Sequence, residues 1–162
     1  MTQSSVVEVD PTEPGVAHLL AELLRRSYAV EAELIGFRGI PGLTATAETV
    51  ASGGLRWLVR LDGGRIVAAL GVALDRDVLD LDSLVVDPTV FRQGHGRAIV
   101  EHALRWPGVQ HWVVGTAAGN GPAVRLYERL GFVEVERTDA GEVVYVRFRL
   151  ERDEPSSPEV VP

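Results

Sequence analysis

The chain has 162 residues, 46% of them hydrophobic, enough apolar content to bury the core of one domain. Its formal charge is −7, all 16 basic residues are arginine, and it has no cysteine. That balance argues against a nucleic-acid binder, which presents a basic face, and rules out disulfides, thiolate metal sites and a cysteine nucleophile. No apolar run approaches the roughly 18 residues that span a bilayer. The start, MTQSSVVEVD, has neither the basic nor the apolar region of a secretory signal. Cytoplasm is therefore the expected location, with no membrane or nucleic-acid partner.

In chain order, Val6 to Val9 reads as a short strand stopped by Asp10-Pro11. Leu19, Leu20, Leu23, Leu24 and Tyr28 recur at helical spacing, predicting an amphipathic helix over Val16 to Leu34. Gly36, Gly39, Pro41 and Gly42 make Ile35 to Leu43 a loop, and a short helix over Ala45 to Ala51 ends at Gly53-Gly54. Arg56–Leu61 and Arg65–Leu74 flank Asp62-Gly63-Gly64 as a hairpin. A turn at Asp75-Arg76-Asp77 leads into a strand over Val78 to Val86. After Pro88 a glycine-bearing segment enters a helix carrying Ile99, Val100, Ala103 and Leu104 on one side. Val109 to Val114 reads as a buried strand, Asn120 opens a last helix, and Gly131 is placed to end it in a left-handed conformation. Phe132–Arg137 and Glu142–Leu150 form a final hairpin around Thr138 to Gly141. The fold class is α+β, a mixed and mostly antiparallel sheet with helices on its faces. Residues 1–150 read as one domain, and 151–162 as a polar, proline-broken tail expected to be disordered.

Two segments carry chemistry. Phe91-Arg92-Gln93-Gly94-His95-Gly96-Arg97-Ala98 lies between a strand and a helix. Its glycines allow close backbone approach, and the free N–H groups and dipole at the helix start favour an anion. Arg92 and Arg97 add positive charge, a combination suited to a pyrophosphate. No lysine follows the glycines and no GxGxxG is present, so this is neither a P-loop nor a dinucleotide fingerprint. Taken alone, such a turn is equally well a structural glycine turn with surface arginines. In Asn120-Gly121-Pro122-Ala123-Val124-Arg125-Leu126-Tyr127, Asn120 caps a helix and Pro122 costs no hydrogen bond in its first turn. By itself, Tyr127 could as well be a core aromatic. The four histidines show no metal-ligand spacing, so no metal is expected.

Together LDSLVVDPTVFRQGHGRAIVEHAL and NGPAVRLYERLGF resemble the two coenzyme-facing segments of the GNAT superfamily of N-acetyltransferases. The chain departs from the family pattern at Phe91, where a leading Gln or Arg is usual, with Arg92 next to it. The resemblance implies about seven strands and four helices, with the fourth and fifth strands splayed to admit acetyl-coenzyme A. It implies coenzyme contacts at Leu84, Val85 and Val86, at Phe91 to Ala98, and at Asn120, Pro122, Ala123 and Tyr127. Val85 or a neighbour would supply an oxyanion-binding N–H, and Tyr127 the general acid. Asp80 or Asp82 would serve as base, though both are equally read as part of a solvated acidic edge.

The acceptor, a small-molecule or peptide amine, would lie among Ser27 to Leu43 and Thr138 to Gly141, with Tyr28, Glu31 and Glu33 favouring a cation. The resemblance also allows a homodimer through the last strands. Two alternatives stand beside acetyl transfer to an amine: a non-catalytic coenzyme A sensor, and a transferase with a longer acyl donor or an alcohol acceptor.

Overall fold

The computed structural model describes residues 4–153. Seven strands form one sheet in the order β1-β2-β3-β4-β5-β7-β6, with β1 Ser4–Val9, β2 Arg56–Asp62, β3 Arg65–Asp75, β4 Val78–Val86, β5 His111–Ala117, β6 Val133–Asp139 and β7 Val144–Glu151. Only β4 and β5 pair in parallel; every other neighbour is antiparallel. Among the described residues there are four α-helices, α1 Pro14–Ile35, α2 Ala47–Ser52, α3 His95–Ala103 and α4 Gly121–Arg129. No helix among the described residues is long and apolar enough to cross a membrane.

Strand alternation gives the sheet two apolar faces. On one, Leu20, Leu23 and Leu24 of α1 and Val50 of α2 pack on Trp57, Val59, Ala69 and Val85. On the other, Ile99, Val100 and Ala103 of α3 and Tyr127 of α4 pack on Leu70, Leu79, Leu81, Val114, Val146 and Phe148. Burying each leucine, isoleucine, valine or phenylalanine among them stabilises the fold by roughly 1.5–3 kcal/mol.

Most element bounds agree with the sequence pattern. The β2–β3 turn is tighter than read: Gly63 (φ 58°) and Gly64 (φ 78°) alone bridge the strands, the double left-handed turn that matches strand twist. Arg76, at φ 57°, turns β3 into β4. The loop expected over Ile35 to Leu43 contains a 3₁₀ turn, Pro41–Thr44. The fifth strand begins and ends later than read, at His111 and Ala117; Gln110 N and His111 N both donate to Asp77 O at its start, and pairing with β7 carries it on to Ala117. The expected tail also starts too early. Glu151 closes β7, and Arg152 donates to Gln110 O and Val109 O while its guanidinium covers Trp112. Residues 154–162 of that tail lie outside the described residues.

Two irregularities on β4 open a cleft beside it. Its pairing with β5 stops at Leu81↔Val114, so the two strands part beyond that point. Against β3 the register steps from Gly71↔Ser83 to Val72↔Leu81, leaving Asp82 as an extra, bulged residue. Bulges bend a strand and re-aim its side chains.

Candidate active site

At the end of β4, Asp87 is 3% exposed. Its carboxylate accepts from Thr89 N (2.9 Å) and Thr89 Oγ1 (2.8 Å), and from Arg26 on α1 at 2.7 Å. Arg65 on β3 lies 3.4 Å away. Burial alone would raise its pKa; the Thr89 hydrogen bonds with Arg26 and Arg65 outweigh burial and hold the carboxyl below the usual range. Asp87 thus clamps the strand end to α1 and β3. Sequence reading missed it, although a lone aspartate between a buried strand and proline was its visible signal.

The loop between β4 and α3 contains Arg92 at φ 63° and Gly94 at φ 81°. A left-handed arginine is held against a cost of about 1–2 kcal/mol. The first α3 hydrogen bond runs from Ala98 N to Gly94 O, so the amides of His95, Gly96 and Arg97 have no intrahelical acceptor. Gly96 packs against the strand and α4: a Cβ there would make ordinary contact with Val86 Cγ2 at 3.4 Å and Leu126 Cδ2 at 3.8 Å. The side chains behave differently from the main chain. Arg97 is engaged by Glu101 at 2.6 Å. His95 turns inward, 6% exposed, with Nδ1 accepting from Arg60 Nε at 3.0 Å. It therefore offers the loop its amide, not its imidazole. Arg92 remains exposed.

Where β4 and β5 part, a cleft of about 350 Å³ opens. Leu81, Asp82 and Leu84 of β4 and Val114 to Ala117 of β5 form its floor. Asp87 N donates to Val67 O of β3 at 2.8 Å, whereas Val86 N points the other way, toward Ser27 Oγ at 3.4 Å. Strand alternation then aims the amides of Leu84 and Val86 into the gap and that of Val85 at β3. Among the expected oxyanion donors, Val85 is the one the register turns away.

Two helical stripes form the walls. Tyr28, Glu31 and Ile35 of α1 face Asn120, Ala123 and Tyr127 of α4, each set spaced to share one helix face. Asn120 caps α4, its Oδ1 accepting from Ala123 N at 3.3 Å. Pro122 sits in the first turn without lining the cleft. Tyr127 is 3% exposed, its ring edge-on to Phe132 at 5.6 Å. Burial, and then the proximity of Tyr28 and Glu31, pushes its pKa far above the ordinary tyrosine value. Tyr28 is pushed up to about 12, chiefly by burial, against an opposing Ser83 hydrogen bond. The 3₁₀ turn locks Tyr28 in place, since a Cβ on Gly42 would overlap its ring at 2.0 Å.

The remaining acids separate. Asp82 lines the cleft, its Oδ2 accepting from Ser83 Oγ at 2.9 Å. Asp80 does not; it stays in the paired part of β4, 3.9 Å from Arg147. Burial raises its pKa, Arg147 lowers it and Asp82 raises it further. Glu33 is a correction to the expected substrate set. Two residues from Glu31 it falls on the opposite side of α1, 82% exposed and 3.9 Å from Arg38.

The last hairpin closes the cleft with Glu136, Thr138, Tyr145 and Arg147. Of these the sequence pattern points only to Thr138; the alternation of Tyr145 and Arg147 marks a solvent-facing strand face without marking a site. No cluster of His, Asp and Glu able to hold a metal occurs among the described residues.

The chain is similar to several known proteins. The chain spans less than half the length of the curated relatives it matches. It is 31% identical over 131 residues to the UPF0157 protein YqkA of Bacillus subtilis, covering 80% of this chain and 38% of that protein. It is 43% identical over 68 residues to the ribosomal protein bS18-alanine N-acetyltransferase of Escherichia coli, 38% of this chain and 46% of that one. In structure it resembles the ribosomal-protein-S18-alanine N-acetyltransferase of Escherichia coli (TM-score 0.75, 22% identity, covering 96% and 98% of the two chains). It also resembles yncA of Salmonella typhimurium, whose structure includes its cofactor acetyl-CoA (TM-score 0.67, 19% identity, 98% and 99%). The family described as acetyltransferase (GNAT) domain matches residues 53–134, just over half of the 162 residues and the stretch from β2 through α4. The chain belongs to the GNAT acetyltransferase family.

Proposed function

We propose that this chain is an acetyl-CoA-dependent N-acetyltransferase, in which an amine attacks the thioester directly in a ternary complex and residues 1–150 act as one domain. The observation that carries this reading is the β4–β5 gap with Tyr127 in its lining, together with Gly96 at the amide-bearing start of α3 lying against Leu84 and Val86 of the same strand. A pyrophosphate would sit on the amides of His95, Gly96 and Arg97, where the α3 dipole adds attraction. The pantetheine arm would pair with the free edge of β4, and the acetyl group would reach the floor of the cleft. The relative crystallised with acetyl-CoA supports this choice of donor.

Amine attack places negative charge on the carbonyl oxygen, and the inward amide of Leu84 or Val86 is the donor able to meet it. The thiolate that then leaves needs a proton. From a free tyrosine (pKa about 10) to a free thiolate (about 8.5) that transfer is uphill by roughly 2 kcal/mol. Burial keeps Tyr127 protonated, and the same dry surroundings raise the basicity of the thiolate beside it. Tyr127 therefore serves as general acid. For the acceptor, the cleft sets Glu31, Asp82 and Glu136 against the single guanidinium of Arg147, which favours a cationic amine.

Calorimetry with acetyl-CoA, followed by thiol release across α-amines, amino-terminal peptides and alkylamines, tests the reading. Absence of heat at millimolar acetyl-CoA overturns it. Heat without thiol release would favour a coenzyme A sensor. A thermal shift that grows with acyl length would reject acetyl as the natural group.

A further inference from the structure

The cleft presents an acid on its α4 wall, and amine acetylation also needs a group to receive the amine's proton. Three carboxylates reach the lining, and they are held differently. Asp82 is exposed at the bulge and already accepts from Ser83. Glu136 lies on β6, where all seven residues are exposed. Glu31 is half-buried on the α1 stripe, directly across from α4. The end of α1 meets the loop that leads into α4 beside it, since Ile35 lies 3.7 Å from where a Gly119 Cβ would be.

Resting on the acetyl-transfer reading above, the geometry points to Glu31 as the general base, facing the acid Tyr127 across the cleft and taking the proton of the acceptor's ammonium. Tyr28 faces it on its own helix, Asn120 and Tyr127 from α4, Asp82 from β4, and Glu136, Tyr145 and Arg147 from the hairpin. Arg147, the one cation among them, lies by Asp80, so it does not neutralise Glu31. Burial raises the proton affinity of Glu31, opposed in part by a hydrogen bond with Asn120. A carboxylate so placed attracts a cation and holds a proton better than a solvated one.

The steps balance. An ammonium N–H bond breaks toward the Glu31 carboxylate, and the freed lone pair forms the C–N bond as the carbonyl π pair moves to oxygen. Collapse re-forms C=O and breaks C–S, the sulfur taking the Tyr127 proton. The nitrogen's second proton restores Tyr127, and the one on Glu31 leaves to solvent.

A base matters in proportion to how rarely the amine is neutral. At pH 7 an alkylamine is neutral about once in 2,500 molecules and an α-amine about once in ten. The test measures kcat and KM for acetylation of n-butylamine and of alaninamide by wild type, Glu31→Gln and Glu31→Asp, from neutral pH upward. Glu31→Gln is expected to lower kcat for n-butylamine by about 10²–10⁴-fold and for alaninamide by much less. Its deficit should shrink about tenfold per pH unit until the amine deprotonates unaided, and Glu31→Asp should recover part of kcat. An unchanged Kd for acetyl-CoA reports an intact fold. Equal losses for both amines, or a raised KM with kcat intact, overturn the assignment while leaving acetyl transfer standing. A wild type that binds acetyl-CoA yet releases no thiol with either amine overturns the transfer reading itself.

Discussion

The two halves of the cleft are built from different material. On the β4–α3 side the groups proposed to act are backbone amides, freed by the start of α3 at Gly94 and the early end of strand pairing. On the α1 and hairpin side they are side chains, Tyr28, Glu31, Glu136 and Arg147, brought together from opposite ends of the chain. A main-chain site tolerates many side chains but few backbone conformations. The reverse holds for the proposed acceptor wall, where each residue type matters and the backbone is ordinary. The coenzyme half can therefore be shared among enzymes that differ in the half facing their substrate.

The largest effect expected lies where the halves meet. Tyr127→Phe keeps the ring packed on Phe132 and removes only the hydroxyl, so kcat should fall by about 10²–10⁴-fold while calorimetric affinity for acetyl-CoA holds within about twofold. An equal loss in affinity would show that Tyr127 belongs to the binding half instead.

Asp87→Ala would strip the clamp at the head of the coenzyme side, leaving Arg26 and Arg65 without their shared partner. Because both arginines are partly exposed, about 1–3 kcal/mol of unfolding free energy is expected to be lost in urea at neutral pH, short of a fully buried pair. The sign with pH is set by the lowered native pKa. This stabilisation is complete above the unfolded carboxyl value of about 3.9 and disappears as pH falls through the native value. Wild type and variant should therefore converge in strongly acidic urea melts.

Gly94→Val would force a β-branched residue to φ 81°, at a cost of at least about 1–2 kcal/mol. If the loop yields instead of the fold, acetyl-CoA affinity drops roughly tenfold. The acceptor KM should barely move, which sharpens the division between halves.

Gly42→Ala tests the opposite wall. Its methyl must displace the Tyr28 ring, raising the acceptor KM a few-fold and leaving acetyl-CoA affinity untouched. An affinity change here would break the comparison.

Legibility tracked the same division. Phe91 to Ala98 and Asn120 to Tyr127 are each contiguous, so local rules of glycine freedom and helix capping announced them. Asp87 was within reach of the same rules and went unremarked. Glu136, Tyr145 and Arg147 were not legible as site residues, because their partners lie some hundred positions away on α1. Glu33 and Glu31 look alike in sequence and differ only in which side of α1 the sheet covers.

Periodicity and turn chemistry, being local, were enough to determine the elements, their order, the phosphate-type loop and the cap of α4. Tertiary structure alone decided where β4 leaves β5, that Asp82 bulges, that Val85 turns its amide to β3, and that Glu31 faces Tyr127. Each of these depends on register and helix rotation, which are settled when distant apolar faces pack and which no window of neighbouring residues contains.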